Sequence, residues 1–336
     1  MSNSKTYCSA PFQHLHISPI GDMMPCCSYR GKPFGNVNNN SIENIFNNVR
    51  FKIIRKQLLE GKEPDGCYKC FKRESVGLTS PRLQYQDDYT PEKIYTMSVK
   101  FDSWDIRNTN LCNLKCQTCG PNYSSLHNNG KEISPSTKAM NDIYKNIDSN
   151  IHNVKNIYFA GGEPLINPMH EYIIKKLIDK KRFDCKLQYS TNLTLLKYKG
   201  FDVLEAWKKF KNVKVLASVD GIGKQNEFIR TNSKWETTDK NLKILLGQSN
   251  IDLRASICVS KLNIEDLHLI CEYLVDVGVK EENISVSNIL TDPKKFSIKG
   301  IETDSLINLK SYIQENKHSY PLISEGLTKV LEWVNQ

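Results

Sequence analysis

Three cysteines between a strand and a Gly-Pro turn set the strongest limit on this chain. The run CNLKCQTCG, residues 112–120, spaces its thiols by three residues and then by two. Cysteines at i, i+4 and i+7 would also share one face of a helix. Asn, Lys and Gln among them, with Gly120 and Pro121 directly after, speak against a helix. In a loop, three thiolates at this spacing can hold three irons of a four-iron cubane and leave the fourth iron without a protein ligand. An open position is what a catalytic metal needs, whereas a structural zinc wants a fourth ligand close by, and none follows.

The remaining cysteines extend the argument. The chain has eleven, and eight fall into close groups: Cys8, Cys26 and Cys27, Cys67 and Cys70, then Cys112, Cys116 and Cys119. The N-terminus lacks the basic-then-apolar pattern of a secretory signal, and no apolar run approaches the length of a membrane span. A cytoplasmic location is therefore expected, and clustered cysteines in a reducing compartment are metal ligands more often than disulfides. Cys185, Cys258 and Cys271 stand alone in apolar segments and read as buried small hydrophobes.

Residues 96–290 alternate strand-like and helix-like runs. The strands are MSVKFDSWDI, VKNIYFA, CKLQYS, VKVLASV, LRASICV and ISVSNIL, with helical stretches such as MHEYIIKKLIDKK, FDVLEAWKKF, WETTDKNLKILLG and IEDLHLICEYLVDVG between them. Six strand-then-helix units predict an α/β fold on a parallel sheet, open or closing into a barrel, with chemistry at the C-terminal strand ends. Residues 301–336 read as one or two terminal helices.

The N-terminal part has a different pattern. Residues 7–27 read as a hairpin, with FQHLHIS alternating, PIGD turning and MMPCC returning. His14 and His16 share one strand face, read as exposed. Residues 41–60 form an amphipathic helix between Ser41 as N-cap and Gly61 as C-cap. Residues 71–95 read as a linker; Arg82 and Tyr85 in it, like Asp105 and Arg107 on the next strand, have a place facing the site open to them, and a structural role is the preferred reading. Cys8, Cys26 or Cys27, Cys67 and Cys70 supply four thiolates with one to spare, which fits a structural zinc or a closed iron–sulfur cluster equally well.

Three further motifs follow successive strands. AGGEP, residues 160–164, offers Gly161 and Gly162 for close backbone approach and Glu163, ahead of Pro164, as acceptor for an ammonium group. YSTNL, residues 189–193, presents Ser190 and Asn192, short polar side chains suited to ribose hydroxyls or a carboxylate. SVDG, residues 218–221, adds Ser218 and Asp220, and Arg230 beyond it suits a carboxylate.

These motifs resemble those of the radical S-adenosylmethionine (SAM) superfamily over roughly residues 96–290. The resemblance implies a partial (β/α)6 TIM-like barrel. Cys112, Cys116 and Cys119 match the loop that binds a [4Fe–4S] cluster, whose open iron the SAM amino and carboxylate groups chelate. Reduction then yields methionine and a 5′-deoxyadenosyl radical. Gly161, Gly162, Glu163 and Pro164 match the motif that receives the methionine ammonium, Ser190 and Asn192 match ribose and carboxylate contacts, and Ser218 and Asp220 match polar contacts on the next strand. Thr118 departs from the pattern, which has a large or aromatic residue before the last cysteine to pack on adenine.

CSAPF, the PIGDMMPCC hairpin and GCYKC followed by RESVGLTSPR resemble the twitch domain, the short relative of the SPASM domain. That implies a second, auxiliary [4Fe–4S] cluster on Cys8, Cys26, Cys67 and Cys70, here ahead of the barrel. The expected organisation is a small α+β domain with its linker over 1–90, the barrel over 91–300 and a helical extension over 301–336. The expected function is oxidative modification of a C–H bond, on a peptide or protein in preference to a sugar or alcohol. A flavodoxin- or ferredoxin-type protein would supply electrons. The formal net charge of +9 favours acidic partners. Lysines scattered without interleaved aromatics disfavour nucleic acid. A zinc scaffold or RNA-binding module with a decayed barrel is the alternative of a different class. No extra cysteine pair is placed to carry a methyl group.

Overall fold

The computed structural model describes residues 5–75, 77, 79–86, 99–302 and 306–334. Contacts divide it into two compact units that do not follow chain order: 1–109 with 133–161 and 172–185, and 110–132 with 162–171 and 186–336. The expected boundary at 90/91 and the start of the MSVKFDSWDI run lie outside the described residues.

The first unit carries a five-stranded sheet. Its strands are β1 (His14–Ile17), β2 (Asp22–Met24), β3 (Gly35–Asn36), β4 (Ser103–Ile106) and β5 (Asn156–Phe159), in the order β5-β4-β1-β2-β3. The predicted hairpin is present, pairing His16 with Met24. Gly21 turns it at φ +87°, where an added Cβ would meet the Asn36 and Asn38 side chains at 2.9 Å. β1 also runs parallel to β4, with His14 opposite Ser103 and His16 opposite Asp105. The two histidines are therefore buried, at 1% and 3% exposure, and not on a solvated face. The strand pattern could not show this, because a second neighbour arrives from almost ninety residues away. Leu15, Ile17, Trp104 and Ile106 alternate onto the opposite face. Phe34, Phe46, Phe51 and Phe101 join the core, with successive ring centroids 4.9–5.0 Å apart.

Two local readings change. The helix expected over 41–60 is two helices, Ile42–Phe46 and Val49–Leu59. Ser41 caps the first. The Asn48 side chain accepts from Arg50 N and Phe51 N and so starts a second helix in mid-pattern. The presumptive linker contains helices Tyr68–Ser75 and Pro81–Gln86. A helix over Thr137–Asn150, not singled out by the pattern, buries only Ala139, Ile143, Ile147 and Asn150.

The second unit holds the other four expected strands as a parallel sheet: β6 (Lys186–Thr191), β9 (Val213–Ser218), β10 (Ile251–Val259) and β11 (Ile284–Ile289). Two-residue strands β7 (Lys197–Tyr198) and β8 (Phe201–Asp202) form a separate hairpin. Leu187, Tyr189 and Thr191 are buried on one face of β6, while Gln188 and Ser190 are half-buried on the other. Helices Trp235–Leu246 and Leu267–Asp276 lie where the periodicity places them, and two helices, Ile307–Asn316 and Pro321–Val334, end the chain. The fold is α/β with mostly parallel strands, and among the described residues no strand pairing closes a barrel. Among them too, no helix is long and apolar enough to cross a membrane.

Candidate functional site

In the second unit, residues 112–119 form an irregular loop rather than a helix. Backbone bonds hold it on both sides: Lys115 N donates to Thr231 O at 2.9 Å and Gln117 N to Ile229 O at 2.7 Å. Ser124 Oγ donates to Leu114 O at 2.6 Å, and the His127 ring nitrogen lies 2.9 Å from Cys116 O. The loop's shape is thus fixed by residues that follow it in sequence, some directly after it and others more than a hundred residues on. Burial pushes the thiols of Cys112 and Cys119 up, to about 12 and about 11. Burial also raises Cys116, but the Arg230 guanidinium, whose Nη1 lies 3.7 Å from Cys116 Sγ, works against it. Metal binding must displace these protons.

The AGGEP turn sits against the start of this loop. Glu163 N donates to Leu111 O at 2.8 Å. That approach leaves no room at Gly162, where a Cβ would stand 2.0 Å from Leu111 O. Gly161 adopts φ +127°. Pro164 opens a short 3-10 turn, Pro164–Ile166, whose Leu165 N donates to Glu163 Oε1 at 3.1 Å. Thr191 Oγ1 donates to the same oxygen at 2.7 Å, and Asn192 N to Oε2 at 2.8 Å. Glu163 is 3% exposed, and burial raises its pKa against these three donors and Arg230. A carboxylate offers about four acceptor positions, so one remains on Oε2 for a further donor.

The other candidates fall at the ends of β6 and β9. Asn192 does not present a vacant amide: its Nδ2 donates to Asn113 Oδ1 at 2.9 Å, and its Oδ1 accepts from Thr194 N and Oγ1. Ser190 and Ser218 are half-buried on the face opposite the core of their strands. Asp220 Oδ1 accepts from Cys258 N at 2.8 Å, and its Oδ2 lies 3.1 Å from Arg230 Nε, an ion pair whose N–H is not aligned as a hydrogen bond. Burial opposes the Arg230 charge, but Asp220 and the nearby thiols outweigh it and raise its pKa. Cys258 is half-buried next to this pair, not a core residue like Cys185 and Cys271. A β-bulge between Ser256 and Cys258 accompanies the change. Thr118 is half-buried.

In the first unit, Cys8, Cys26, Cys67 and Cys70 line one cavity together with Arg82 and Tyr85. All four are free thiols. Cys8 precedes the turn Ala10–Gln13, Cys26 follows β2, Cys67 ends a 3-10 turn over Asp65–Cys67, and Cys70 lies in the helix after it. Gly66 lets the Tyr29 ring close over this turn, since a Cβ would come within 2.2 Å of that ring. Burial pushes Cys8 and Cys67 up to about 12, against the pull of Arg82. Cys27 does not line the cavity. Burial and then the Asp105 carboxylate raise its thiol to about 11. Arg82 and Tyr85, for which a structural role was preferred and a place facing the site left open, line the cavity with the cysteines. A polar stretch between helices gave no periodic signal for them. Asp105 and Arg107 do pair bidentately, at 2.7 and 2.9 Å, as a structural role requires.

Four free thiols converging on one buried cavity suit a fully ligated iron–sulfur cluster, and three thiols in a loop beside Arg230 suit one with an open iron.

The radical SAM superfamily model matches residues 106–290, more than half of the chain, and the chain belongs to that superfamily. A model of an iron–sulfur cluster-binding domain, SPASM, matches residues 8–71. The two matches imply iron–sulfur chemistry and SAM as cofactors. Uncharacterized protein MJ0907 of Methanocaldococcus jannaschii is 33% identical over 199 residues, 56% of this chain and 63% of that protein, so the match spans less than two thirds of the relative. Among solved structures, SuiB of Streptococcus suis is 16% identical, with a TM-score of 0.44 over 84% of this chain and 60% of that one. TYW1 with a lysine-pyruvate adduct bound is 15% identical, with a TM-score of 0.37 over 80% of this chain and 88% of that one.

Proposed function

We propose that this enzyme carries two [4Fe–4S] clusters and performs a net two-electron oxidation at a C–H bond. The observation that carries the reading is the separation of the cysteines into a loop of three and a cavity of four. Cys112, Cys116 and Cys119 hold the barrel cluster, which when bound supplies the electron that opens the SAM sulfonium. Arg230 offsets thiolate charge at Cys116. Glu163 offers its remaining Oε2 position to the SAM ammonium, between Gly162 and Pro164, with Gly161 ahead of them. Ser190, Ser218 and Asp220 line the strand ends where the nucleoside lies, and Asn192 holds the loop through Asn113.

Cys8, Cys26, Cys67 and Cys70 leave no iron of the auxiliary cluster open, so that cluster acts by electron transfer. One substrate hydrogen leaves as an atom to form 5′-deoxyadenosine. The cluster that Cys8, Cys26, Cys67 and Cys70 would hold would supply an acceptor for the second electron, and the proton would go to solvent. The substrate is a peptide or protein, in line with the net charge of +9. The reductant is a flavodoxin- or ferredoxin-type protein, and the enzyme works in the cytoplasm. The auxiliary domain spans 1–90, the barrel 91–300 and the helical extension 301–336.

Anaerobic reconstitution should load about eight irons, two cubanes of four. Changing Cys112, Cys116 and Cys119 to Ala together should halve that and abolish SAM cleavage. Continued formation of 5′-deoxyadenosine by this variant would overturn the assignment. Replacing Cys67 and Cys70 by Ala should stop product formation and leave slow, uncoupled SAM cleavage. A product of unchanged mass that carries one solvent deuterium would refute oxidation. A colourless, zinc-loaded protein would favour a scaffold instead.

A further inference from the structure

We propose that the Arg82–Glu74 pair sets the reduction potential of the auxiliary cluster. The inference rests on the assignment of that cluster to Cys8, Cys26, Cys67 and Cys70. An oxidised four-iron cluster on four thiolates is a dianion, and accepting an electron adds a further negative charge. In a buried cavity that charge is costly unless a cation stands beside it. Among the described residues lining the cavity, Arg82 is the one cation.

Its position is built rather than incidental. Arg82 is 6% exposed. Its Nε donates to Glu74 Oε1 at 3.0 Å and its Nη2 to Glu74 Oε2, while Nη1 donates to Tyr7 O at 2.6 Å, on the residue before Cys8. Ser80 Oγ donates to Glu74 as well. The guanidinium carbon lies 5.0 Å from the centroid of the Phe71 ring, next in sequence to Cys70. These bonds use three of the five guanidinium N–H groups. Both residues that anchor or face the guanidinium, Tyr7 and Phe71, are chain neighbours of cysteines in the cavity. Glu74 does not line the cavity. The positive partner of the pair thus lines the cavity with the thiols, and the negative partner stays out of that lining.

This arrangement favours the reduced cluster, as an electron acceptor requires. The two partners should then act in opposite directions on the potential. A merely structural pair would instead lose cluster content when either partner changed.

The test is an EPR-monitored redox titration of the full-length protein carrying both clusters, with the barrel cluster as internal reference. Arg82→Gln should lower the reduction equilibrium of the auxiliary cluster about tenfold, which is 59 mV for a one-electron couple. Glu74→Gln should shift it the other way. Arg82→Lys, which keeps the charge, should stay close to the parent. An Arg82→Gln protein with a loaded cluster and an unchanged potential would overturn the proposal, as would equal shifts in Arg82→Gln and Arg82→Lys. If Arg82→Gln cannot hold its cluster, Glu74→Gln decides: a potential that does not rise counts against the pair. Absence of a second cluster from the parent protein would instead overturn the underlying assignment, and iron content reads that separately.

Discussion

The Asn192 side-chain amide donates to Asn113 Oδ1 at 2.9 Å, and Asn113 Nδ2 donates in turn to Thr194 Oγ1 at 2.8 Å. The two asparagines clip the cysteine loop to the end of β6. The same strand end supplies Thr191 Oγ1 and Asn192 N to Glu163. The loop and the AGGEP turn are thus both held by residues of the segment 191–194.

Breaking the clip should be felt first at the loop. Asn192→Ala strands the partly buried amide of Asn113 and should cost about 1–3 kcal/mol of stability. Iron in the barrel cluster should fall while the auxiliary cluster stays loaded. Equal loss from both clusters, measured by iron content and EPR, would argue against a local role.

Glu163→Ala removes the last acceptor position on Oε2. SAM affinity should weaken by about 1.5–3 kcal/mol, the value of a hydrogen bond to a charged group. The variant should still assemble its barrel cluster, because Cys112, Cys116 and Cys119 are untouched. An unchanged dissociation constant by titration would reduce AGGEP to a tight connection.

The adjacent cysteines should separate cleanly. Cys26 lines the cavity and Cys27 does not. Cys26→Ala should lose about four irons, one cubane. Cys27→Ala should lose none. The reverse pattern would mean that the loop after β2 turns over when the cluster binds.

Stability should fall with acid through buried histidine. His170 is 1% exposed, lies 3.1 Å from the Tyr189 hydroxyl, and is held down to about 3 by burial. Its unfolded value is about 6.5. Above pH 6.5 neither state carries the proton, and the contribution is intact. Between pH 6.5 and 3 only the unfolded chain is protonated, so stability declines by up to about 1.4 kcal/mol per pH unit. Urea midpoints between pH 7.5 and 5.5 should show this slope, reduced in His170→Asn. An identical slope in the variant would exclude this histidine.

Much of this was legible in the residues. Cysteine spacing marked out the two groups of thiols, the loop of CNLKCQTCG and the cavity set that includes GCYKC. Alternation marked all six strands of the repeating region, since each must bury one or both faces in a parallel sheet. Glycine placed the turns at Gly21 and Gly161, which take positive φ, and at Gly162, where backbone passes close to backbone. The break at Asn48 was not legible, because its cap competes with an otherwise unbroken helical pattern.

Only the tertiary structure decided which neighbours meet across long separations. It buried His14 and His16 by laying β4 beside β1. It put Cys26, which the resemblance had implied as the ligand, on the cavity wall and left Cys27 off it. It committed the Asn192 amide to Asn113 and placed Arg82, paired with Glu74, among the residues that line the cavity. Side chains of these types have no periodicity to read, and their partners are set by where distant strands and turns come to rest. The sequence determined which chemistry the chain can hold, and packing determined which residues surround it.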